Sequence, residues 1–461
     1  MTRDGLRITD EALGRLADEA LRLAKSYWAS LEARPACPAT SGPETARLFT
    51  RPWTEAGLGA AVLRDFPEIA AHSRPSGGRF FGYVFGSGEP VGALGELLAA
   101  ALNQNVTAWR SGPAAVTIER TVVGWLADAV GCAGHAGTLC GGGSAANLMA
   151  LAMAREAKLP ANEAGARPGI VYASEQVHMS IAKAVALLGI GRRNLRLIPV
   201  DGELRLRPEA LAAAIAADRA AGRAPIAIVA TAGTVASGAI DPLPAIADIA
   251  ARESLWLHVD GAYGALAALA VPERFRGLDR ADSLSLDAHK WLYQTMECGC
   301  LLYRDRAAAR QAFSASEDYV RTLTDDPVEG FAFFEESMEL SRRFRALKLW
   351  LSLQYHGRAA FREAIARDLR HARLLVEEIG ATPALELAAP VGLSAVCFRH
   401  RAGDNAAILR RVIARGRVYL SNATIDGRFA LRACFVNHRT TEADVRAIVA
   451  EVMAAAGEVG A

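Results

Sequence analysis

Lysine is nearly missing from this chain of 461 residues: Lys25, Lys158, Lys183, Lys290 and Lys348 stand against 47 arginines. The bias reads as coding composition, yet it leaves few candidates for chemistry that needs an amine able to lose its proton. Cysteine is sparse too, with seven scattered residues that form no disulfide framework. No apolar run approaches the roughly 18–20 residues of a membrane span. Neither sign of charge is in excess, since 52 basic residues face 50 acidic ones, and the electrostatic ground for a nucleic-acid partner is gone. The stretch from Met1 to Trp28 is charged and amphipathic, without an apolar secretory core, so a cytoplasmic location is expected.

What is present describes a packed protein. Hydrophobic residues make up 51% of the chain and charged ones 22%, which excludes disorder as the main state. The length exceeds one ordinary domain of roughly 100–200 residues, so two or three packed units are expected. Residues 1 to about 70 read as amphipathic helices, the first from Thr9, that cannot bury their apolar face alone and must pack on another subunit or on the main body. From about residue 138, short apolar runs alternate with helix-length segments. The runs begin at Ile170, Leu195, Ile226, Leu255, Ser283 and Cys300. Such alternation predicts a mostly parallel sheet covered by helices on both faces. A long helix is expected over Ser341–Tyr355, then a smaller α+β unit with strands at 393–399, 418–420 and 429–434 and a last helix from Glu442.

Five local features carry chemistry. Thr138-Leu-Cys-Gly-Gly-Gly143-Ser144-Ala-Ala-Asn147 precedes a helix: either its backbone N–H groups cradle an anion, or it is a flexible turn with Ser144 as helix cap. His178 opens a helix after a strand. Thr231 ends a strand, where ligands gather in open parallel sheets. Asp260 closes the apolar Leu255–Val259 run and requires a cationic partner, structural or otherwise. Lys290 follows Asp287 and His289 at a strand end, whereas the other four lysines lie within or beside helices and read as solvated. In this order, anion loop, flat ring, strand-end acid and strand-end amine describe a pyridoxal 5'-phosphate (PLP) site. The phosphate needs backbone donors, the ring nitrogen a carboxylate, and the aldehyde a reactive lysine. Cys298-Gly-Cys300 with His258 or His289 supplies N/S groups, but the spacing fits no zinc signature, so no metal is expected.

The motifs resemble those of the group II PLP-dependent amino-acid decarboxylases, the family of aromatic-L-amino-acid, tyrosine and glutamate decarboxylases. The resemblance runs from about Phe80 into the C-terminal unit, through Ala108-Trp-Arg-Ser-Gly-Pro-Ala-Ala115 and Ser341-Arg-Arg-Phe-Arg-Ala-Leu-Lys348. It implies an α/β fold of PLP fold type I, with a helical arm over 1–80 packing on the dimer partner, a large PLP-binding domain over 81–350 and a small α+β domain over 351–461. It implies a homodimer whose site lies at the interface. Lys290 then forms the internal aldimine, Asp260 pairs with the pyridinium, His178 stacks on the ring and Ala262 packs on its other face. Gly143 and Ser144 hold the phosphate, while Thr231 and His289 complete the cage. Tyr319 matches a loop tyrosine that reprotonates the α-carbon after CO2 leaves, giving an amine; relatives with Phe there tend to release an aldehyde.

Departures from the aromatic-specific members concern the substrate pocket, expected at Tyr83, Phe85, Asn105, Thr107 and Ser341. Asn105 and Thr107 stand where aromatic side chains are usual, Tyr83-Val-Phe85-Gly86 lacks a Pro-Thr pair, and Pro75 replaces a pocket Trp. Asp287 takes the place of an Asn near the phosphate, where an extra anion would repel it unless turned away. Aromatic substrates are favoured, with a non-aromatic amino acid, an aldehyde-forming reaction or a carbon–carbon lyase as alternatives.

Overall fold

A computed structural model describes residues 6–315 and 324–460. The apolar runs of the middle third form a seven-stranded sheet of β1 (Ala136–Cys140), β2 (Ile170–Ser174), β3 (Leu195–Ile198), β4 (Pro225–Thr231), β5 (Trp256–Asp260), β6 (Ser283–Asp287) and β7 (Gly299–Tyr303). Its order is β1-β7-β6-β5-β4-β2-β3; β7 runs antiparallel to both neighbours, and β2 to β6 pair in parallel. Every residue of β1, β2, β5, β6 and β7 is buried, as continuous apolar strands covered on both faces must be.

Helices Gly143–Lys158, Pro208–Ala220 and Leu243–Arg252 alternate with these strands. The parallel arrangement brings the C-terminal ends of β1, β4, β5 and β6 to one edge, where Cys140, Thr231, Asp260 and Asp287 are the last residues. Open sheets bind ligands outside such ends.

A second, antiparallel sheet has the order β10-β11-β9-β8, built from β8 (Leu385–Leu387), β9 (Ala395–His400), β10 (Ser421–Ile425) and β11 (Arg428–Cys434). Helix Ala346–Gly380 joins the two cores. Leu347 and Leu349 belong to the large one, whereas Ala372, Leu375 and Ile379 belong to the small one. Gly357, with φ of 75°, breaks the helix before Phe361, Ile365 and Leu369, which still belong to the large core, a conformation that glycine adopts without strain. At the N-terminal end, helices Asp10–Ser30, Gly42–Phe49 and Phe66–Ala71 leave Leu13, Leu21, Leu58, Ile69 and the fully exposed Trp53 facing solvent.

Several local expectations are corrected. The long helix starts at Ala346, not Ser341, because Arg342 and Arg345 turn inward into ion pairs with Glu119 and with Glu297 and Glu339. Val418, Tyr419 and Leu420 are buried but precede the strand, which is the half-polar Ser421–Ile425 paired to β11. Strands β1 and β8 add to the expected set. Lys348 is not solvated: it is buried, 2.5 Å from Glu96, and donates to the Thr295 and Glu297 carbonyls.

Candidate active site

The strand ends and the glycine turn enclose a cavity of about 210 Å³, and Gly143, Ser144, His178, Thr231, Asp260, Ala262, His289 and Lys290 all line it. A wider groove of about 610 Å³ along Arg367–Glu377 and His438–Glu442 has no lysine in its lining and hence no amine for an aldehyde.

Asp260 forms the floor. Its Oδ1 accepts from the Ala262 backbone N–H (3.2 Å) and from Ser285 Oγ (3.1 Å), and Oδ2 accepts from Asn147 Nδ2 (2.8 Å). Three donors compensate the burial of this carboxylate and fix its direction. Asn147 does more than hold Asp260. Its amide also donates to Ser180 Oγ (2.9 Å), and its Oδ1 faces His258 Nε2 (2.9 Å).

Ser180 in turn lies 2.8 Å from His178 Nδ1, which also accepts from the Ser180 backbone N–H. These partners put the His178 proton on Nε2 and hold the ring at the mouth of the helix it caps. Burial pushes His178 and His289 below the ordinary histidine range, and the fully enclosed His258 down to about 4. All three rings are therefore neutral at pH 7.

The turn after β1 is shaped for close approach. Gly142 has φ of 117°, and a Cβ on Gly143 would lie 2.6 Å from the Ala262 methyl and 3.1 Å from Asp287 Oδ2. Helix Gly143–Lys158 starts with Gly142 as its cap, so Ser144 is not the N-cap and stays exposed in the first turn. Thr231 donates its backbone N–H to Asp241, a buried carboxyl pushed up to about 6 by burial, and leaves its own Oγ1 buried without a partner. Lys290 Nζ sits 2.9 Å from Asp287 Oδ2. Cys298 and Cys300 are buried thiols behind the lysine, Cys298 pushed up to about 12 by burial, and His289 Nδ1 lies 3.2 Å from the Cys298 carbonyl.

These residues fit PLP. A glycine turn at a helix start faces the cavity, Thr231 Oγ1 awaits a partner, a braced carboxylate lies on the floor, and the amine stands at the rim.

The expected substrate-pocket residues do not join this cavity within the chain. Tyr83 is exposed and hydrogen-bonds Tyr419 through its hydroxyl (2.9 Å), and Phe85 packs against Phe80. Asn105 accepts from the Arg342 backbone, Thr107 keeps a buried unpartnered hydroxyl, and Ser341 is exposed. Tyr319 lies outside the described residues. Sequence reasoning missed Ser180 and Ser285 and the bracing roles of His258, weighed only as a metal ligand, and of Asn147. Only Asn147 carried a signal, since it lies one turn beyond Gly143 and so on the same helix face.

Comparisons with known proteins agree with this geometry. The family described as the pyridoxal-dependent decarboxylase conserved domain matches residues 71–401. The chain is 33% identical to an aromatic-L-amino-acid decarboxylase of Bacillus atrophaeus, covering 99% of this chain and 98% of that one. It is also 33% identical to a phenylacetaldehyde synthase of Petunia hybrida, over 80% of this chain and 79% of the other. The crystal structure of Oryza sativa TDC with PLP and tryptamine superposes with a TM-score of 0.91 at 28% identity, covering 98% and 99% of the two chains. With the glycine turn, the braced Asp260 and Lys290 already in one cavity, these likenesses make the chain a member of the pyridoxal-dependent decarboxylase family, a PLP-dependent enzyme acting on an amino acid.

Proposed function

We propose that the chain decarboxylates an aromatic L-amino acid to the corresponding amine and CO2, as a cytoplasmic homodimer. The observation that carries this reading is the convergence of Lys290, Asp260, His178 and the Gly141–Ser144 turn on one cavity, in a chain alike over nearly its whole length to an aromatic-L-amino-acid decarboxylase. No helix among the described residues is long and apolar enough to cross a membrane.

Bound PLP supplies an electron sink for the pair released when the carboxylate carbon leaves. Lys290 holds the cofactor aldehyde, and Asp260, kept in place by Asn147, Ser285 and Ala262, holds the proton on the ring nitrogen. His178 covers one ring face as a neutral imidazole whose Nε2–H is free for the substrate carboxylate, and Ala262 packs on the other face. Gly143, Ser144, Thr231 and His289 hold the phosphate end. Tyr319 returns the proton to the α-carbon.

Tyr83, Phe85, Asn105, Thr107 and Ser341 serve the substrate side chain across the subunit interface. Their position off the cavity of their own chain supports that role, as the exposed apolar residues of the 1–80 arm support dimerisation. The large 81–350 and small 351–461 domains are the two proposed units, and the long helix runs from the core of the first, which it serves as far as Leu369, into the core of the second from Ala372. A second reading, aldehyde formation with oxygen consumption, rests on the likeness to phenylacetaldehyde synthase.

A turnover panel tests both. Purified protein with PLP meets aromatic, acidic and basic L-amino acids while CO2, amine and peroxide are followed. Amine and CO2 in equal amounts from an aromatic substrate, without peroxide, are expected. Peroxide with aldehyde would establish the second reading, and turnover of acidic or basic substrates alone would refute the aromatic preference. Lys290→Ala is expected to remove the PLP absorption band.

A further inference from the structure

The wider groove lies between helix Ala346–Gly380 and the start of helix Glu442–Glu458, and Lys290 is not among its lining residues. Four arginines line it, with Glu377 and Glu442 as the carboxylates. Arg370 is already paired with Glu363 (2.7 Å), and Glu442 with Arg446 (3.3 Å). The other three guanidinium groups have bonds left to make. Arg367 donates through Nη2 to the His438 carbonyl (2.9 Å), yet its Nε is buried without a partner. Arg439 Nη1 is likewise buried and unpartnered, and Glu32 and Glu89 lie near that guanidinium without forming an ion pair with it. Arg373 is exposed and has no ion pair among the described residues.

His371 completes the wall. It is 3% exposed, and its Nδ1 has no hydrogen-bond partner, with Asp368 Oδ1 3.8 Å away. His438 is committed to Ser87 Oγ at 2.6 Å, and burial beside Arg439 and Arg367 pushes it down to about 3, so it adds no charge. Buried polar atoms are nearly always hydrogen-bonded, and three that are not, Arg367 Nε, Arg439 Nη1 and His371 Nδ1, gather around this one groove.

The chemistry of an occupant follows from the lining. Fork-shaped cations with open donors suit the several oxygens of a phosphate group. The volume, about 610 Å³ against about 210 Å³ for the Lys290 cavity, leaves room beyond a bare ion. Glu377 and Glu442 repel a second phosphate but accept from hydroxyl groups, and Leu374 is the one apolar side chain in the lining, too little for an aromatic or acyl body.

We propose that this groove is a second ligand site, which takes a phosphate monoester with a hydroxylated body, a sugar phosphate. Arg367, Arg373 and Arg439 hold the phosphate, and Glu377 and Glu442 accept from the hydroxyls.

The test uses the holoenzyme with PLP bound. Isothermal titration with glucose 1-phosphate, which has no free aldehyde to react with lysine, is compared with glucose and with inorganic phosphate at equal ionic strength. Glucose 1-phosphate should bind at one site per chain, at least about tenfold tighter than inorganic phosphate, and glucose should not bind. Arg373→Gln, at an exposed position with no ion pair to lose, should weaken glucose 1-phosphate at least about tenfold while the PLP absorption band stays intact. Arg373 lines the groove and not the Lys290 cavity, so this variant assigns the binding to one of the two.

Absence of saturable binding overturns the site, as does equal affinity in Arg373→Gln. Inorganic phosphate or glucose binding as tightly as glucose 1-phosphate overturns the assigned ligand class.

Discussion

Asn147→Ala removes one amide that serves three partners at once: Asp260 Oδ2 at 2.8 Å, Ser180 Oγ at 2.9 Å and His258 Nε2 at 2.9 Å. A hydrogen bond to a charged group contributes about 2 kcal/mol and a neutral one about 1, so the three together amount to about 4 kcal/mol. All four side chains are buried or nearly so, and no solvent is at hand to replace the lost donor. Ser285→Ala, by contrast, removes a single bond to Asp260 Oδ1 and should cost about 2 kcal/mol.

Urea unfolding of the two cofactor-free variants measures both losses, and the first should be about twice the second. Asn147→Ala should also weaken PLP binding, because Asp260 loses the donor on its Oδ2. If Asn147→Ala proves no more harmful than Ser285→Ala, the amide does not unite Asp260, Ser180 and His258, and the account of the cavity floor is wrong.

Other expectations follow from the same geometry. Gly143→Ala should weaken PLP at least about tenfold, equal to about 1.4 kcal/mol, because the new methyl would lie 2.6 Å from that of Ala262; an unchanged titration would show that the turn is not the cradle. Arg342→Met should destabilise by about 3–5 kcal/mol, since Glu119 then keeps a buried charge without its partner at 2.5 Å, and a urea midpoint within error of wild type contradicts this. His258 titrates at about 4 when folded and near about 6.5 when unfolded, so its contribution is complete above pH 6.5 and is lost as pH falls toward 4. Between pH 7 and 5 that loss is about 2 kcal/mol, and His258→Gln, which cannot charge, should show a flatter decline in stability over the same interval.

Much of the large sheet could be read from the chain because its strands are buried on both faces and appear as continuous apolar runs, as in Ile226–Thr231. The cavity-lining residues were legible for a related reason: a polar residue that closes such a run, as Asp260 does, is too costly to be incidental. Of the edge strands, β3 was read from the Leu195 run, whereas β1, β8 and β10 escaped. The β10 sequence Ser-Asn-Ala-Thr-Ile has little apolar signal because one neighbour and half-exposure are enough for it, while the buried Val418–Leu420 before it mimics a strand. Lys348 was misread because its ammonium is neutralised by Glu96, some 250 residues away in sequence, and no local pattern foretells such a pairing. Apart from Asn147, the brace behind Asp260 was invisible for the same cause: Ser180, His258 and Ser285 come from three further elements.

The place of β1 has a consequence for biosynthesis. Cys140 and Gly299 face each other across the β1–β7 ladder, and the turn carrying Gly142 leans so closely on Gly299 that a methyl there would lie 2.4 Å from the Gly142 Cα. A ribosome therefore exports the glycine turn long before the strand that backs it, and a nascent chain that stops short of β7 has the sequence of that turn but not its wall. Contacts so distant along the chain form late. Cofactor capture should accordingly begin only after Tyr303 has left the exit tunnel, with β7 as the latch whose arrival turns an emerging polypeptide into one able to retain its vitamin.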